Sequence, residues 1–347
     1  MSGERPVFSI AIGCDCDPDR PEFGGGYLKE GVLSWRGIEL GIDRLRLARQ
    51  KFADQTGLWP KFTWNVRADF QIDKICKSAG NSLSRHHRLW RTLIEEGDEI
   101  AWHPHLWAWD EKNGFWFQSI GDHRFEDECL QIGYDGFISA WGSPPHSVHA
   151  GWCYQDNNTI SILSEKGLKV DCSAVPGFCS LGLGGSDQSD WSQTGFHPYR
   201  PAANDYQRAA TPDETELDIL EIPASVGSSI WVGLLGNLRD RFKRRSFRLN
   251  RNGISARVPL IASHPWLNAP IACDAVNRAI HLKQPYFFSY SHCDEFLDNA
   301  KFTGRGYWVY DIEYIFTNIL RTIDEVQEKG FDAEFVTISE LGSKMRM

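Results

Sequence analysis

Two aspartates at a spacing of two are the first residues in this chain that could do chemistry. Asp15 and Asp17 follow an apolar stretch, residues 7–12, whose β-branched side chains predict a buried strand. Residues two apart on an extended chain point to the same side, so both carboxylates project together from the strand end. Adjacent carboxylates repel each other unless a cation or a shared proton lies between them, which indicates a metal site or an acid–base pair. A solvated turn is the alternative, because Asp-Pro-Asp is common turn chemistry.

A pair of histidines repeats this arrangement further along the chain. His103 and His105 come directly after a short predicted strand, residues 99–102, and their spacing again places both side chains on one side. Imidazole and carboxylate groups at strand ends are a common way to hold a divalent cation such as zinc. A lone histidine is more often a core or surface group. The presence of both His-x-His and Asp-x-Asp at strand ends favours a shared metal site.

The elements that must position these pairs alternate between strands and helices. Apolar residues at helical spacing predict helices over residues 35–56, 85–96, 122–140, 157–166, 274–282 and 312–328. Short apolar runs predict further strands over residues 61–66, 168–172, 218–223, 286–291 and 333–338. Polar residues collect where strands end, which in a (β/α) barrel is the face that carries the chemistry. The predicted fold class is therefore α/β, a (β/α) barrel formed by a single domain over residues 1–347.

Two segments interrupt the alternation. Residues 178–213 are rich in Gly, Ser, Gln, Asp and Pro without a clear period, which predicts a long irregular insertion that either shapes a binding site or is mobile. Residues 228–265 form a second insertion and contain a basic run at 239–251. That run is typical of a solvated helix face, and binding of a phosphate or an anionic sugar is the alternative.

Composition excludes several classes of protein. The net charge of −9 over 347 residues argues against a general nucleic-acid binder or a protein of anionic membrane surfaces. No stretch approaches the about 20 apolar residues of a membrane span, and the first apolar run is too short for a signal peptide. The nine cysteines are scattered without a CxxC pair, which predicts free thiols in a reducing compartment. A cytoplasmic protein is expected, and its oligomeric state is not indicated.

The chain resembles the polysaccharide deacetylases of the NodB-homology type. The similar motifs are Asp15-Cys16-Asp17, Gly97-Asp98-Glu99-Ile100-Ala101-Trp102-His103, Val148-His149-Ala150-Gly151-Trp152 with residues 167–173 after it, Leu220-Glu221-Ile222-Pro223 and Tyr290-Ser291-His292-Cys293-Asp294. The resemblance covers most of the chain. It implies a distorted barrel of about seven strands, of the glycoside hydrolase/deacetylase type. It also implies a metal-dependent enzyme that hydrolyses a non-peptide carbon–nitrogen bond.

The resemblance also implies roles for particular residues. Asp15 corresponds to the general base, Asp17 and His103 to ligands of a divalent metal, for which zinc is expected, and His292 to the general acid. Asp294 or another acid is expected to orient His292, and Asp294 is also expected to contact the substrate.

Two positions depart from the family pattern. The family places its second metal histidine four residues after the first, where this chain has Trp107, so His105 is expected to serve, with His123 in reserve. The arginine of the third motif is replaced by His149, which indicates an unusual substrate or a changed role, even as a ligand.

The expected activity is removal of an N-acetyl group from a sugar, in lipopolysaccharide or surface-glycan biosynthesis. Trp152 and the pair of Trp107 and Trp109 are expected to pack against the sugar ring, with His149 and Asp294 nearby. Core packing is the alternative for each tryptophan. Two other functions stay open: hydrolysis of another carbon–nitrogen bond, as in a cyclic amide or ureide, and a catalytically silent carbohydrate-binding barrel. In each case the partner is a carbohydrate or a small molecule.

Overall fold

The computed structural model describes residues 4–20, 33–181, 187–229, 247–249, 256–259, 265–297 and 312–345. The strands are Val7–Cys16 (β1), Thr63–Arg67 (β2), Glu99–His103 (β3), Trp107–Asp110 (β4), Phe115–Gln118 (β5), Ser147–Val148 (β6), Val170–Asp171 (β7), Phe178–Leu181 (β8), Asp187–Asp190 (β9), Pro201–Ala202 (β10), Asp205–Ala209 (β11), Leu220–Glu221 (β12), Val226–Ser229 (β13), Phe247–Leu249 (β14), Ala256–Pro259 (β15), Tyr286–His292 (β16) and Asp332–Val336 (β17). The α-helices are Ile42–Thr56 (α1), Phe70–Cys76 (α2), Asn81–Arg85 (α3), His87–Glu95 (α4), His123–Trp141 (α5), Asn157–Glu165 (α6), Pro265–His281 (α7), Ile312–Glu328 (α8) and Ile338–Met345 (α9).

The central sheet is built from parallel strands. Within the described residues, seven strands follow the order β12-β7-β6-β3-β2-β1-β16, and an eighth, β17, pairs with β1 alone. The two edges of this path approach each other, since the backbone N–H of Ser225, just after β12, donates to the carbonyl of Phe288 in β16 at 2.9 Å. Helices connect most of the strands, as parallel pairing requires. The predicted (β/α) barrel is confirmed.

Side chains alternate along β1 between two cores. Phe8, Ile10 and Ile12 belong to the larger cluster, which also contains buried side chains of the surrounding helices. Ala11 belongs to the cluster inside the barrel, together with Phe288. Because the side-chain period of a strand is two, the odd-numbered residues of this segment face the inside. Cys14 and Cys16 join the helix-side cluster, as strand alternation requires for the neighbours of Asp15.

Some predicted boundaries are wrong. The helix expected over residues 85–96 is observed as α4, which begins at His87 and ends at Glu95, and His86, whose backbone is not helical, separates it from α3. The indole N–H of Trp90 donates to the carbonyl of Ser82 across this break. Two leucines that contributed to the helical spacing of residues 35–56, Leu40 and Leu47, are exposed at 53% and 67%. The helix expected at residue 274 begins earlier, at Pro265.

The first insertion is more regular than its composition predicted. Within residues 178–213, β8 pairs with β9 and β10 with β11, both antiparallel. The absence of a sequence period reflects strands of two to five residues, which are too short to show one. In the second insertion β13 pairs with β15, while most of the basic run at 239–251 lies outside the described residues. No helix in the described ranges is both long and apolar enough to span a membrane.

Candidate metal centre

The two sequence pairs meet at the carboxyl ends of β1 and β3. Asp17, His103 and His105 are all buried, and their ligand atoms lie within 4.8 Å of one another. The Nε2 atoms of the two histidines are 3.2 Å apart. The Asp17 oxygens lie 3.6 Å from His103 Nε2 and 3.4 Å from His105 Nε2.

These separations fit a tetrahedral ion. Bonds of about 2.0–2.1 Å to nitrogen or oxygen would place neighbouring donors about 3.3–3.4 Å apart. The orientation of His103 agrees, because its Nδ1 lies at hydrogen-bond distance from the carbonyl oxygen of His149. A carbonyl only accepts, so Nδ1 carries the proton and Nε2 presents a lone pair towards Asp17 and His105. The three residues therefore fit a divalent metal.

The protonation states of Asp17 and His105 suit this role. Burial and the nearby Arg67 guanidinium lower the pKa of His105 to about 4, so its imidazole is neutral at pH 7. Burial alone would raise the pKa of Asp17, but His103 and His105 outweigh it and hold that pKa well below its usual range. A carboxylate and neutral imidazoles are the forms that bind a metal.

The ring of His105 is held by tight packing. It stacks on Trp107, with ring centroids 5.5 Å apart and planes at 16°. On its other side lies Gly151, where an added Cβ would fall 2.3 Å from the imidazole ring. Any larger residue at position 151 would displace His105, so this glycine is required for the observed ring position.

Asp15 lies between two imidazoles. Its Oδ1 is 2.8 Å from His149 Nδ1 and accepts a hydrogen bond from Asn65 Nδ2 at 2.8 Å, while its Oδ2 is 3.7 Å from His292 Nε2. Burial opposes the charge on Asp15, but His149 and His103 lower its pKa below the usual range. In turn, Asp15 raises the pKa of His149 well above 6.5 in spite of burial. The geometry thus gives an imidazolium–carboxylate pair at the barrel mouth.

The sequence left His105, His123 and His149 as candidates for the third metal ligand. The structure places these three histidines in different groups of side chains. His105 completes the group with Asp17 and His103, whereas His149 forms an overlapping group with Asp15 and His103. His123 belongs to a separate group at the starts of α5 and α6, with Glu126 and Asp156.

The separate group has a simpler explanation than a metal. His123 is exposed at 65%, and the acids already accept hydrogen bonds, Glu126 from the backbone N–H of Gly121 and Asp156 from the Tyr154 hydroxyl. Asp156 also caps α6 through the backbone N–H of Thr159. His123, which was predicted as the reserve metal ligand, therefore lies in a different group from Asp17 and His103.

His292 is held by Glu295 rather than by Asp294. Glu295 Oε1 lies 3.2 Å from His292 Nδ1, and its Oε2 accepts the backbone N–H of His292. Both oxygens of Asp294 instead accept hydrogen bonds from Arg20, and the Arg20 guanidinium also contacts Glu295 at 2.9 Å. The expectation that Asp294 orients His292 is therefore not met by its position. Asp294 is also only 1% exposed, which leaves it little contact with a substrate.

The tryptophans near the site separate into a buried and an exposed one. Trp107 is 2% exposed and packs on His105, so its surroundings are those of a core residue. Trp152 is 40% exposed, and its ring edge meets Trp107 at a centroid distance of 6.4 Å. Its backbone has φ 59°, and Cys153 has φ 56°. Two consecutive non-glycine residues in the left-handed region are costly and are typical of functional sites.

Sequence reasoning missed three groups that contact the site. Asn65 is the register partner of Asp15 in β2, and Arg67 NH1 donates to Asp17 Oδ1 at 3.2 Å. Glu295 is the third. Asn65 and Arg67 lie at the end of the strand adjacent to β1, so aligning the carboxyl ends of predicted neighbouring strands could have found them.

Comparison with known proteins places the chain by its fold. No family model and no curated protein sequence matches it, whereas 22 solved chains match. A protein described as a glycoside hydrolase/deacetylase from Parabacteroides distasonis superposes with a TM-score of 0.54 at 15% identity, over 99% of this chain and 71% of its own. A protein described as a polysaccharide deacetylase from Mycobacterium smegmatis (TM-score 0.48, 17% identity, 100% and 92% covered) and an allantoinase (0.46, 11%, 99% and 91%) are also similar. The resemblance that the motifs indicated is confirmed at the level of the fold, which is that of the glycoside hydrolase/deacetylase barrels.

Proposed function

We propose that this chain is a metal-dependent hydrolase that removes the N-acetyl group from an amino sugar. One observation carries the proposal: a ligand group of one acid and two imidazoles lies at the same barrel mouth as a separate acid and a separate histidine. Metal-assisted hydrolysis of an amide needs this combination, because water must lose a proton and the leaving amine must gain one.

Asp17, His103 and His105 would hold the metal. Zinc is proposed because two imidazoles and one carboxylate are a common ligand set for this ion in hydrolases. When bound, the metal would polarise the amide carbonyl and lower the pKa of water.

Asp15 would take the proton from the attacking water at Oδ2. Its Oδ1 is already engaged by Asn65 and His149, so Oδ2 is the oxygen that faces the site and His292. The charge of His149 keeps Asp15 ionised at neutral pH, since it lowers the pKa of this carboxyl. His149, which stands where the family pattern has an arginine, would thus be a fixed cation beside the base.

His292 would donate a proton to the leaving amine from Nε2. Glu295 accepts from Nδ1, which fixes the ring and leaves Nε2 directed towards Asp15. Burial and Arg20 lower the pKa of His292, but Glu295 and Asp15 raise it more, so that the net pKa lies above 6.5. A histidine that is protonated near neutral pH is suited to act as a general acid.

Trp152 would stack on the sugar ring, because its side chain is the exposed aromatic group beside the ligand residues. We also propose a cytoplasmic location and a soluble precursor of a surface glycan or lipopolysaccharide as substrate. The eight cysteines whose side chains the structure describes are free thiols, which supports a reducing compartment.

The test is release of acetate by the purified protein from a panel of N-acetylated amino sugars, with cyclic amides and ureides as competing substrates. Zinc-reconstituted protein should release acetate, and chelated protein or Asp17→Asn should not. Cleavage of ureides alone would replace the proposal with the other carbon–nitrogen hydrolase. A protein that binds no stoichiometric ion and cleaves none of these compounds would be a silent barrel.

A further inference from the structure

The end of β2 carries a polar residue that the proposed reaction does not use. Arg67 is fully buried, and its guanidinium contacts side chains of the candidate metal centre and of the start of α2. Nε donates to Asp69 Oδ2 at 2.5 Å, NH1 donates to Asp17 Oδ1 at 3.2 Å, and NH2 donates to Gln71 Oε1. A buried cation beside a candidate metal ligand is unusual, because it has the same sign of charge as the ion.

Arg67 is itself held rigidly. Asp69 is the N-cap of α2, and its other oxygen accepts the backbone N–H of Ile72 at 3.0 Å. Gln71 lies in the first turn of the same helix. The guanidinium is therefore fixed to the start of α2 on one side and reaches Asp17 on the other.

We propose that Arg67 is a positioning residue that clamps the carboxylate of Asp17 in the orientation required for metal binding, with Asp69 as its compensating anion. The inference rests on the proposed metal site and adds a residue that determines its affinity. A ligating carboxylate gains orientation from hydrogen bonds to its outer side, and the loss of such partners typically costs about 10–100-fold in metal affinity.

Two effects of Arg67 on the metal have opposite signs. Orientation of Asp17 strengthens binding, whereas repulsion between the guanidinium and the cation weakens it. Asp69 lies closer to the guanidinium than Asp17 does, 2.5 Å against 3.2 Å, so most of the repulsion is compensated. Orientation therefore dominates, and removal of Arg67 should weaken binding. Removal of the Asp69 charge should also weaken it, because Arg67 is then left as an uncompensated cation.

The experiment measures the affinity of the purified full chain for zinc by competition with a chromogenic chelator. Arg67→Met should bind zinc at least about tenfold more weakly than the wild type. Asp69→Asn should also bind it more weakly, because asparagine keeps the helix cap through Oδ1 but loses the charge and the oxygen that accepts from Arg67 Nε. Arg49→Met is the matched control, because Arg49 is 1% exposed and also ion-paired, but with Asp98 and Glu96. It should lose stability and keep zinc affinity.

An affinity in Arg67→Met equal to or tighter than that of the wild type would overturn the role of Arg67. So would an equal loss in Arg49→Met, which would show a general effect of removing a buried guanidinium. If Arg67→Met does not fold, Arg67→Lys is tested in its place, and zinc affinity equal to or tighter than that of the wild type would again overturn the role. Lysine keeps the charge but lacks the planar set of N–H donors that contacts Asp17 and Asp69 together. Absence of zinc binding by the wild type would instead overturn the proposed metal site, and the inference with it.

Discussion

His149 Nδ1 lies 2.8 Å from Asp15 Oδ1, and both side chains are buried. The carboxylate holds the imidazole in its charged form, and the imidazolium holds the carboxylate ionised. The same histidine offers its backbone carbonyl to His103 Nδ1. One residue therefore links the candidate base, through its side chain, to a candidate metal ligand, through its backbone.

His149→Asn should lower kcat/KM by about 10–100-fold, because a hydrogen bond between charged groups contributes about 1.5–3 kcal/mol. Zinc affinity should change little, since the backbone carbonyl that contacts His103 remains. His149→Arg should recover most of the lost activity by restoring a cation beside Asp15. Steady-state kinetics and zinc titration check both variants, and an equal loss of activity in both would contradict the role given to this charge.

Glu295→Gln should move the alkaline limb of the kcat profile to lower pH. The pKa of His292 is raised by Glu295 and Asp15 against burial and Arg20, so the proton needed for general acid catalysis is held below this raised pKa and lost above it. Removing the Glu295 charge lowers the pKa of His292, and the alkaline limb of the kcat profile must therefore move to lower pH. Asp294→Asn serves as the control, because Asp294 binds Arg20, and its limb should shift much less. An unchanged limb in Glu295→Gln would exclude His292 as the group that titrates there.

Gly151→Ala should abolish stoichiometric zinc binding. The Cβ methyl group of alanine would lie 2.3 Å from the His105 ring, and the ring would have to move. Overpacking of this kind typically costs about 1–3 kcal/mol of unfolding free energy. Gly195→Ala is the control, since nothing lies within 4 Å of its Cβ position. Elemental analysis and thermal unfolding check both proteins, and full zinc content in Gly151→Ala would refute the packing argument.

Zinc should stabilise the wild type and not Asp17→Asn. A ligand at about 100 times its Kd adds about 2.7 kcal/mol to the free energy of unfolding, so the Tm of the wild type should rise with zinc concentration. His123→Ala should keep this shift, because His123 belongs to a different group of side chains. Thermal unfolding across a zinc series checks the three proteins. Loss of the shift in His123→Ala would return that residue to the ligand set.

Trp152→Gly should raise KM about tenfold without lowering Tm. Removal of the exposed ring takes away the stacking surface, while glycine relieves about 1 kcal/mol of left-handed backbone strain at φ 59°. Trp109→Ala is the comparison, since Trp109 packs against Trp116 in the β4–β5 hairpin, and its KM should stay near that of the wild type. An unchanged KM in Trp152→Gly would show that the Trp152 ring does not stack on the substrate, and that its left-handed backbone has another role.

Much of the candidate site was readable from local spacing. The alternation of a strand fixes which face Asp15 and Asp17 share, and the same holds for His103 and His105. Glu295 was not readable in this way, because Asp294 and Glu295 are adjacent acids after the same strand. Only the short helical turn at Cys293–Phe296 decides that Glu295 folds back onto His292 while Asp294 turns to Arg20.

The sequence by itself determined the alternation of the main sheet strands with the longer helices, the barrel class and the pairing of acids and imidazoles at strand ends, because these depend on periods of two and 3.6 residues along the chain. The tertiary structure alone decided which group each side chain joins. Parallel pairing of β1 with β2 and β16 brings Asn65 and His292 level with Asp15, although about 50 residues or more separate them along the chain. No local pattern encodes that register, since it follows from how the whole sheet packs against its helices.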